Sequence, residues 1–351
     1  MPQPAQCRAM NAPCPAPLSR RLSVAPMMDC TDRHARFLLR LISRCTLLYT
    51  EMVTAQALLR GDAAYLIGYS PAEHPLALQL GSSDPAQLAQ AARIGADFGY
   101  DEINLNVGCP SDRVQSGCFG AILMKTPHLV ADCVSAMIAA VPRTVEVTVK
   151  CRIGVDDQVA EEALPQFLTL VRTAGVRRVQ IHARKAWLDG LSPKQNRDVP
   201  PLDYPLVYRM KAAFPDLHIS LNGGIATLDA AAAHLAQRVD GVMIGRAAYH
   251  QPFDILGDAD RCIFADDRPT LDRAGVVAAM EPYIAAHLAA GGRLHQVTRH
   301  MLGLFAGQPG ARAWRRVLSY GASDRTAGLE VLRAGLAGVA DAERKETCEI
   351  L

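Results

Sequence analysis

The chain has ten cysteines but no CxxC pair, and the thiols are scattered. Free thiols of this kind point to a reduced, cytosolic protein. Residues 1–21 contain no apolar run, so the beginning does not read as a secretory leader. No stretch approaches the roughly 20 apolar residues that a membrane span needs, which argues against a membrane partner. Net charge is only +2, so the total does not announce nucleic acid. A GxGxxG loop is missing after the first strand-like run, which instead ends in Ala25-Pro26-Met27-Met28. That weakens an open doubly wound sheet.

What is present is a regular alternation. Half of the 351 residues are apolar, and the length suits one large domain plus a smaller one. Short apolar or β-rich runs occur at Leu22–Pro26, Leu47–Val53, Leu76–Gly81, Glu102–Gly108, Val145–Gly154, Arg178–Arg184, His218–Gly224 and Gly241–Arg246. Helical spacing falls between them, most clearly after the Asp84-Pro85 cap and at Pro127–Ala140, Ala163–Ala174 and Leu228–Ala236. Eight strands alternating with helices imply parallel pairing, and the closed solution is a (β/α)8 TIM barrel. Beyond residue 258 the strand signals stop. Segments 270–291, 293–306, 311–319 and 325–340 read as helices of a C-terminal all-helical domain. The expected divisions are a disordered tail at 1–21, the barrel at 22–257, the helical domain at 258–341 and a tail at 342–351.

Charge is unevenly placed. From Arg268 to Ala334 there are nine Arg, no Lys and four acidic residues, which leaves the remainder slightly acidic. A basic module on a near-neutral body is one signature of an RNA or DNA footprint. A solvated helical surface is the other reading of the same charge.

In a TIM barrel the chemistry lies at the C-terminal ends of the strands. Here those ends carry Pro26-Met27-Met28, Glu51, Gln79, Asn104, Asn106, Cys109, Lys150, Arg152, His182, Arg184, Asn222-Gly223-Gly224 and Gly245-Arg246. The last two groups suit a phosphate, because glycines let backbone N–H groups approach an anion and Arg adds charge. A phosphorylated cofactor follows. Lys150 suits the cation a flavin needs near its N1–C2 edge, or else a structural ion pair. Gln79 could hold the flavin's pyrimidine edge or be a satisfied rim residue. His182 could be an acid, a phosphate or flavin donor, or a structural hydrogen-bonder.

Cys109 stands apart from the other thiols. Gly108 and Pro110 shape a tight turn around it at the end of the fourth strand. Cys45 and Cys133 read as small hydrophobes, Cys151 as pointing away from the pocket, and Cys118 as the second reactive candidate. No second Cys or His lies at ligand spacing from Cys109, so zinc is not expected. Nucleophile and general acid both remain open.

The stretches SVAPMMDCTDRHARF, LLYTEMVTAQALLRGD, LALQLGSSDP, YDEINLNVGCPSDRVQSGCFGAILM, VTVKCRIGVDD, VQIHARKAWLDGLSPKQNRDVPPLDY, LNGGI and DGVMIGRAAYHQPF cover roughly residues 22 to 256, and GARAWRRVLS extends them. Together they resemble the tRNA-dihydrouridine synthases, specifically the bacterial A-type. NVGCPSDRVQSG and HARKAWLDGLSPKQNRD are specific to that family, whereas NGGI and IGR occur in many flavin barrels. The resemblance implies an FMN enzyme that uses NADPH to reduce uridine to 5,6-dihydrouridine in the tRNA D-loop, at positions 20 and 20a. It implies hydride from flavin N5 to uracil C6, and a proton to C5 from Cys109. By the same likeness Pro26, Met27, Met28, Gln79, Lys150 and His182 contact the flavin, while Asn222, Gly223, Gly224, Gly245 and Arg246 hold its phosphate side. Asn106, Arg184, Lys194, Arg197, Arg312 and Arg315 fall at tRNA-contact positions. The implied protein is a cytoplasmic monomer. Two positions depart from the family pattern: Cys30 stands where an aromatic is common, and Cys118 where a basic residue is common. A flavin enzyme acting on a free pyrimidine and a non-catalytic tRNA-binding barrel are the alternatives; neither explains the cysteine loop and the Arg-rich C-terminal region together.

Overall fold

The computed structural model describes residues 20–350, apart from 112, 113 and 116 and the side chains of 343, 345 and 347–350. The expected N-terminal tail therefore lies almost wholly outside the described residues. Eight strands form one parallel sheet: β1 (Leu22–Val24), β2 (Leu48–Thr54), β3 (Leu76–Gly81), β4 (Glu102–Val107), β5 (Glu146–Arg152), β6 (Arg178–His182), β7 (His218–Asn222) and β8 (Gly241–Ile244). Consecutive strands pair from β2 to β8, and β8 pairs with β1. The ring closes through the parallel bridge Ser23↔Leu47 and the bonds Val24 N→Leu47 O and Leu47 N→Leu22 O, at 2.9 and 3.1 Å. Every strand overlaps the run expected from sequence. The observed strands are mostly shorter, because the expected ends are the loop-forming Pro, Gly and Arg residues of the barrel mouth.

Alternation decides what faces where. Leu76, Leu78, Leu80, Ile103, Leu105, Val107, Val149, Val179, Ile181, Ile219 and Leu221 are buried in one continuous apolar layer with residues of the surrounding helices. The other face of the same strands points into the barrel and is largely polar. Asn104 of β4 bonds Gln180 of β6, Arg178 of β6 pairs with Glu102 of β4, and Tyr49 of β2 bonds Glu102. None of these strand pairs is adjacent in the sheet, so the side chains meet across the interior. Most of these polar groups find a partner, which makes their burial tolerable, although Arg178 Nε and Nη1 are buried without one among the described residues.

After β8 all elements are helical. The helices Arg246–His250, Pro252–Leu256 and Ala259–Phe264 were not legible as separate pieces in the sequence. The expected helix over 293–306 shortens to Leu294–Thr298, followed by turns. Gly303 lies in those turns with no room for a side chain, because a Cβ would sit 2.2 Å from the His250 carbonyl oxygen. The last helix runs Leu329–Ile350, so 342–350 is helical where a tail was expected. Trp314 anchors this region: it is fully buried, donates to Met301 O at 2.8 Å and meets Phe305 edge-on. Among the described residues no helix is long and apolar enough to cross a membrane.

One acidic cap ties the two regions together. Asp32 caps helix Arg33–Ile42 by accepting from the backbone N–H of His34 and Ala35. Its other oxygen takes Arg299 at 2.6 Å and His300 at 2.9 Å from the helical region. Burial pushes the Asp32 carboxyl up, but the His300 and Arg299 bonds outweigh it and hold the group well below the usual carboxylate range. Beside it Phe37 stacks on Tyr283 at 4.1 Å between centroids.

Candidate active site

The strand ends converge as the sequence suggested. Gln79 and Asn106 are buried, on adjacent strands, and Asn106 Nδ2 donates to Gln79 Oε1 at 2.9 Å. Asn106 Oδ1 accepts from the backbone N–H of Gly108 and Cys109, both at 3.0 Å. The side chain of one strand residue therefore shapes the turn that carries the thiol. The Cys109 carbonyl takes Ala121 N–H at 2.8 Å, and its Sγ lies 3.5 Å from Ser111 Oγ. The thiol is half-buried and reachable, in contrast to Cys133 and Cys151, whose thiols burial pushes up to about 12. Those two are buried in the outer apolar layer, as expected. Cys45 is buried too, but its Sγ donates to Asp266 Oδ2 at 3.6 Å, so it is more than a hydrophobe.

Arg152 holds the mouth together from β5. Its Nε donates to Gly108 O at 2.9 Å, and its Nη1 to Lys185 O and Asn196 O at 3.0 and 2.9 Å. Gln115 bridges Pro110 O and Leu188 O, both at 2.9 Å. The cysteine loop and the 184–198 loop are thus one assembly. Asn196, buried in the second loop, bonds the backbone of Trp187 and Leu191 and presents Lys194 and Arg197 at the surface. Sequence reasoning marked Arg152 only as a strand-end group and gave Asn196 no site role; their work is to hold loops, which no residue type announces.

The pocket is cationic. His182 is buried, and burial together with Arg152, Lys150, Arg184 and Arg197 holds its imidazole well below the usual value, so it is neutral near pH 7. The strongest charges acting on it are all positive. Burial and the Arg152 charge bring the Lys150 ammonium down to about 8. No ion pair to Lys150 occurs among the described residues, so its structural reading has no support here. Glu51 lies at a register shift in β2 and has one buried oxygen without a partner; burial, then the Asp32 charge, push its carboxyl up.

The two glycine motifs form a backbone cradle. Gly223 and Gly224 have φ of 113° and 71°, in the region that favours glycine. A Cβ on Gly223 would sit 2.5 Å from the His182 ring, and one on Gly224 2.6 Å from Leu202. Asn222 is fixed by a 2.7 Å bond to Met243 O. Gly245 lies near Met27 and Ala25, which brings the β8 end beside Pro26–Met28 across the β1–β8 pair. Met28 is exposed at 55%. Arg246, expected at a phosphate, is in a 2.8 Å ion pair with Asp198. Arg184 donates to Pro200 O. A side-chain-free cradle, a neutral imidazole and a surplus of cations fit a phosphorylated, electron-rich group such as a flavin nucleotide.

Arg312 and Arg315 do not join this cluster. They are exposed on helix Ala311–Gly321, which packs on helices Leu329–Ile350 and Leu294–Thr298. Trp187, 43% exposed with the Lys185 ammonium 5.5 Å from its ring centre, is a surface aromatic that the sequence reading passed over.

Known proteins resemble most of the chain. A solved old yellow enzyme homologue from Zymomonas mobilis is 14% identical and matches with a TM-score of 0.50 over 72% of this chain and 90% of its own, which speaks to the barrel fold alone. The tRNA-dihydrouridine(20/20a) synthase of Escherichia coli K12 is 57% identical over 324 residues, 92% of each chain. That of Shewanella oneidensis is 55% identical over 316 residues, 90% of this chain and 93% of its own. Residues 23–337 match the family profile described as dihydrouridine synthase (Dus), and this chain belongs to the dihydrouridine synthase family.

Proposed function

We propose that this protein reduces uridine to 5,6-dihydrouridine at positions 20 and 20a of tRNA, with FMN bound and NADPH as transient reductant. The observation that carries the reading is the Cys109 turn, held by Asn106 at the edge of a cationic, glycine-lined pocket. Its relatives carry that activity in their names.

Gln79, Lys150 and His182 would hold the flavin ring and ribityl side, and Asn222, Gly223, Gly224 and Gly245 its phosphate side. A bound flavin supplies the two electrons that reduce the uracil C5–C6 bond. Lys150 would supply positive charge beside the bound group. Cys109 keeps its proton at Sγ and gives it to C5 as negative charge develops there, and the thiolate recovers a proton from solvent. His182, neutral at working pH, donates a hydrogen bond without adding a charge. The target base must leave its stack to reach the mouth, so tRNA is recognised largely by shape and backbone. Lys194, Arg197 and Arg184 line one loop for that purpose, and Arg312 and Arg315 a second surface. Arg246 would exchange Asp198 for phosphate. The protein acts as a monomer in the cytoplasm, where its tRNA is.

Mass mapping of tRNA from cells lacking this protein tests the reading. Dihydrouridine should vanish at positions 20 and 20a and return with the wild-type gene; unchanged modification at both positions would refute it.

A further inference from the structure

Buried inside the barrel is a chain of hydrogen bonds that the reaction as described does not use. Glu102 is fully buried in β4. Its Oε2 is held by Arg178, and its Oε1 accepts from Tyr49 at 2.6 Å and from Thr148 Oγ1 at 2.5 Å. Thr148 in turn accepts from Asn104 Nδ2 at 2.7 Å. Asn104 Oδ1 accepts from Gln79 Nε2 at 2.8 Å, and Gln79 Oε1 from Asn106 Nδ2 at 2.9 Å. Asn106 Oδ1 ends the chain on the N–H of Cys109. Every bond runs in one direction, from the Cys109 backbone to the Glu102 carboxylate.

That direction is forced at both ends. A carboxylate can only accept, and a backbone N–H can only donate. Thr148 has one proton and spends it on Glu102, so it must receive from an amide nitrogen. This fixes Asn104 with nitrogen toward Thr148 and oxygen toward Gln79. The same logic then orients Gln79 and Asn106. Bonds in such a series polarise one another in a low-dielectric interior.

We propose that Glu102, acting through Thr148 and Asn104, is a positioning residue: it sets which amide atoms Gln79 and Asn106 turn toward the pocket, and through Asn106 the turn that carries Cys109. The proposal rests on the function proposed above. Without the hydroxyl link, Asn104 Nδ2 keeps only Gln180 Oε1, the chain is anchored from the Cys109 end alone, and its amides are freer to shift at the mouth.

Glu102→Gln is a poor first test, because it strips Arg178 of its buried charge partner and threatens folding. Thr148→Ser and Thr148→Ala both lose the methyl group and differ from each other only by the hydroxyl. In flavin-loaded enzyme, Thr148→Ser should keep kcat for tRNA reduction within about twofold. Thr148→Ala should lose about tenfold, the rate equivalent of one charge-linked hydrogen bond, with KM for tRNA little changed. The absorption spectrum of the bound flavin should shift in Thr148→Ala and not in Thr148→Ser. Thr148→Val, which keeps the volume, should behave as Thr148→Ala does and serves if the alanine variant does not fold. Equal kcat and equal spectra in the hydroxyl-bearing and hydroxyl-free variants overturn the proposal while the wild type remains active. A wild type that takes up no flavin and leaves tRNA unreduced refutes the underlying function instead.

Discussion

At the scale of residues, the thiol and the half-buried Lys150 ammonium each make a checkable claim. Cys109 touches the mouth with its side chain and the scaffold with its backbone. Cys109→Ala should keep bound flavin and NADPH oxidation yet lose tRNA reduction by about 10²- to 10⁴-fold; full tRNA reduction in that variant ends the acid assignment. For Lys150, the sign follows from its value of about 8 against a usual 10.5. It carries its charge below about 8 and is neutral above. Flavin affinity of the wild type should therefore fall as pH rises through about 8, and the fall should be absent in Lys150→Met; titration by fluorescence quenching reads both. In the flavin-free protein the unfolded chain binds the extra proton between those two values. Lys150 thus makes stability rise with pH across that window, opposite to its effect on the ligand.

At the scale of elements, the capping of one helix carries the junction between barrel and helical region. Asp32→Asn keeps an oxygen for the His34 and Ala35 N–H groups but removes the charge that Arg299 and His300 share. It should cost about 1.5–3 kcal/mol, the range for hydrogen bonds to a charged group, and appear as a lower Tm. Because the folded carboxyl lies below its unfolded value, this contribution is complete above the usual carboxylate range and is lost as pH falls toward the folded value. The wild type should lose Tm on acidification more steeply than Asp32→Asn; parallel curves would show that the contact does not matter. The strands, by contrast, were readable, because their ends are marked by Gly, Pro and polar residues that a barrel mouth needs. Gln79, Asn106, Cys109, His182 and the two glycine motifs came out of that punctuation. Glu102, Thr148 and Gln180 did not, although each alternates with apolar neighbours in EINLNV, TVK and RVQIH. A polar strand face read alone looks like a solvent face, and only ring closure turns it inward. Asp32 was invisible for a similar reason: its partners lie more than 260 residues away in sequence.

At the scale of the whole molecule, charge is divided between two surfaces. The barrel mouth holds cations that act on a buried pocket, while Arg312 and Arg315 stand exposed on a helix of the C-terminal region. The first should govern catalysis and the second affinity. Arg312→Ala or Arg315→Ala should weaken tRNA binding with a shallower dependence on salt, by about one unit of slope in log K against log salt per charge. An unchanged slope in filter-binding or anisotropy titrations would make these arginines ordinary solvated side chains. The polar lining of the barrel has one more consequence, for assembly. Glu102, Asn104 and Arg178 each have a partner on a strand beyond their neighbours as well as on adjacent ones, so a half-formed barrel would bury amides and charges with part of their bonding unanswered. Partial barrels are thereby penalised, and so is any strand that slips by one residue and swaps its polar face outward. The interior works as a proofreading device for register: the bonds of Tyr49 and Gln180 to β4 form only when β2, β4 and β6 arrive in register.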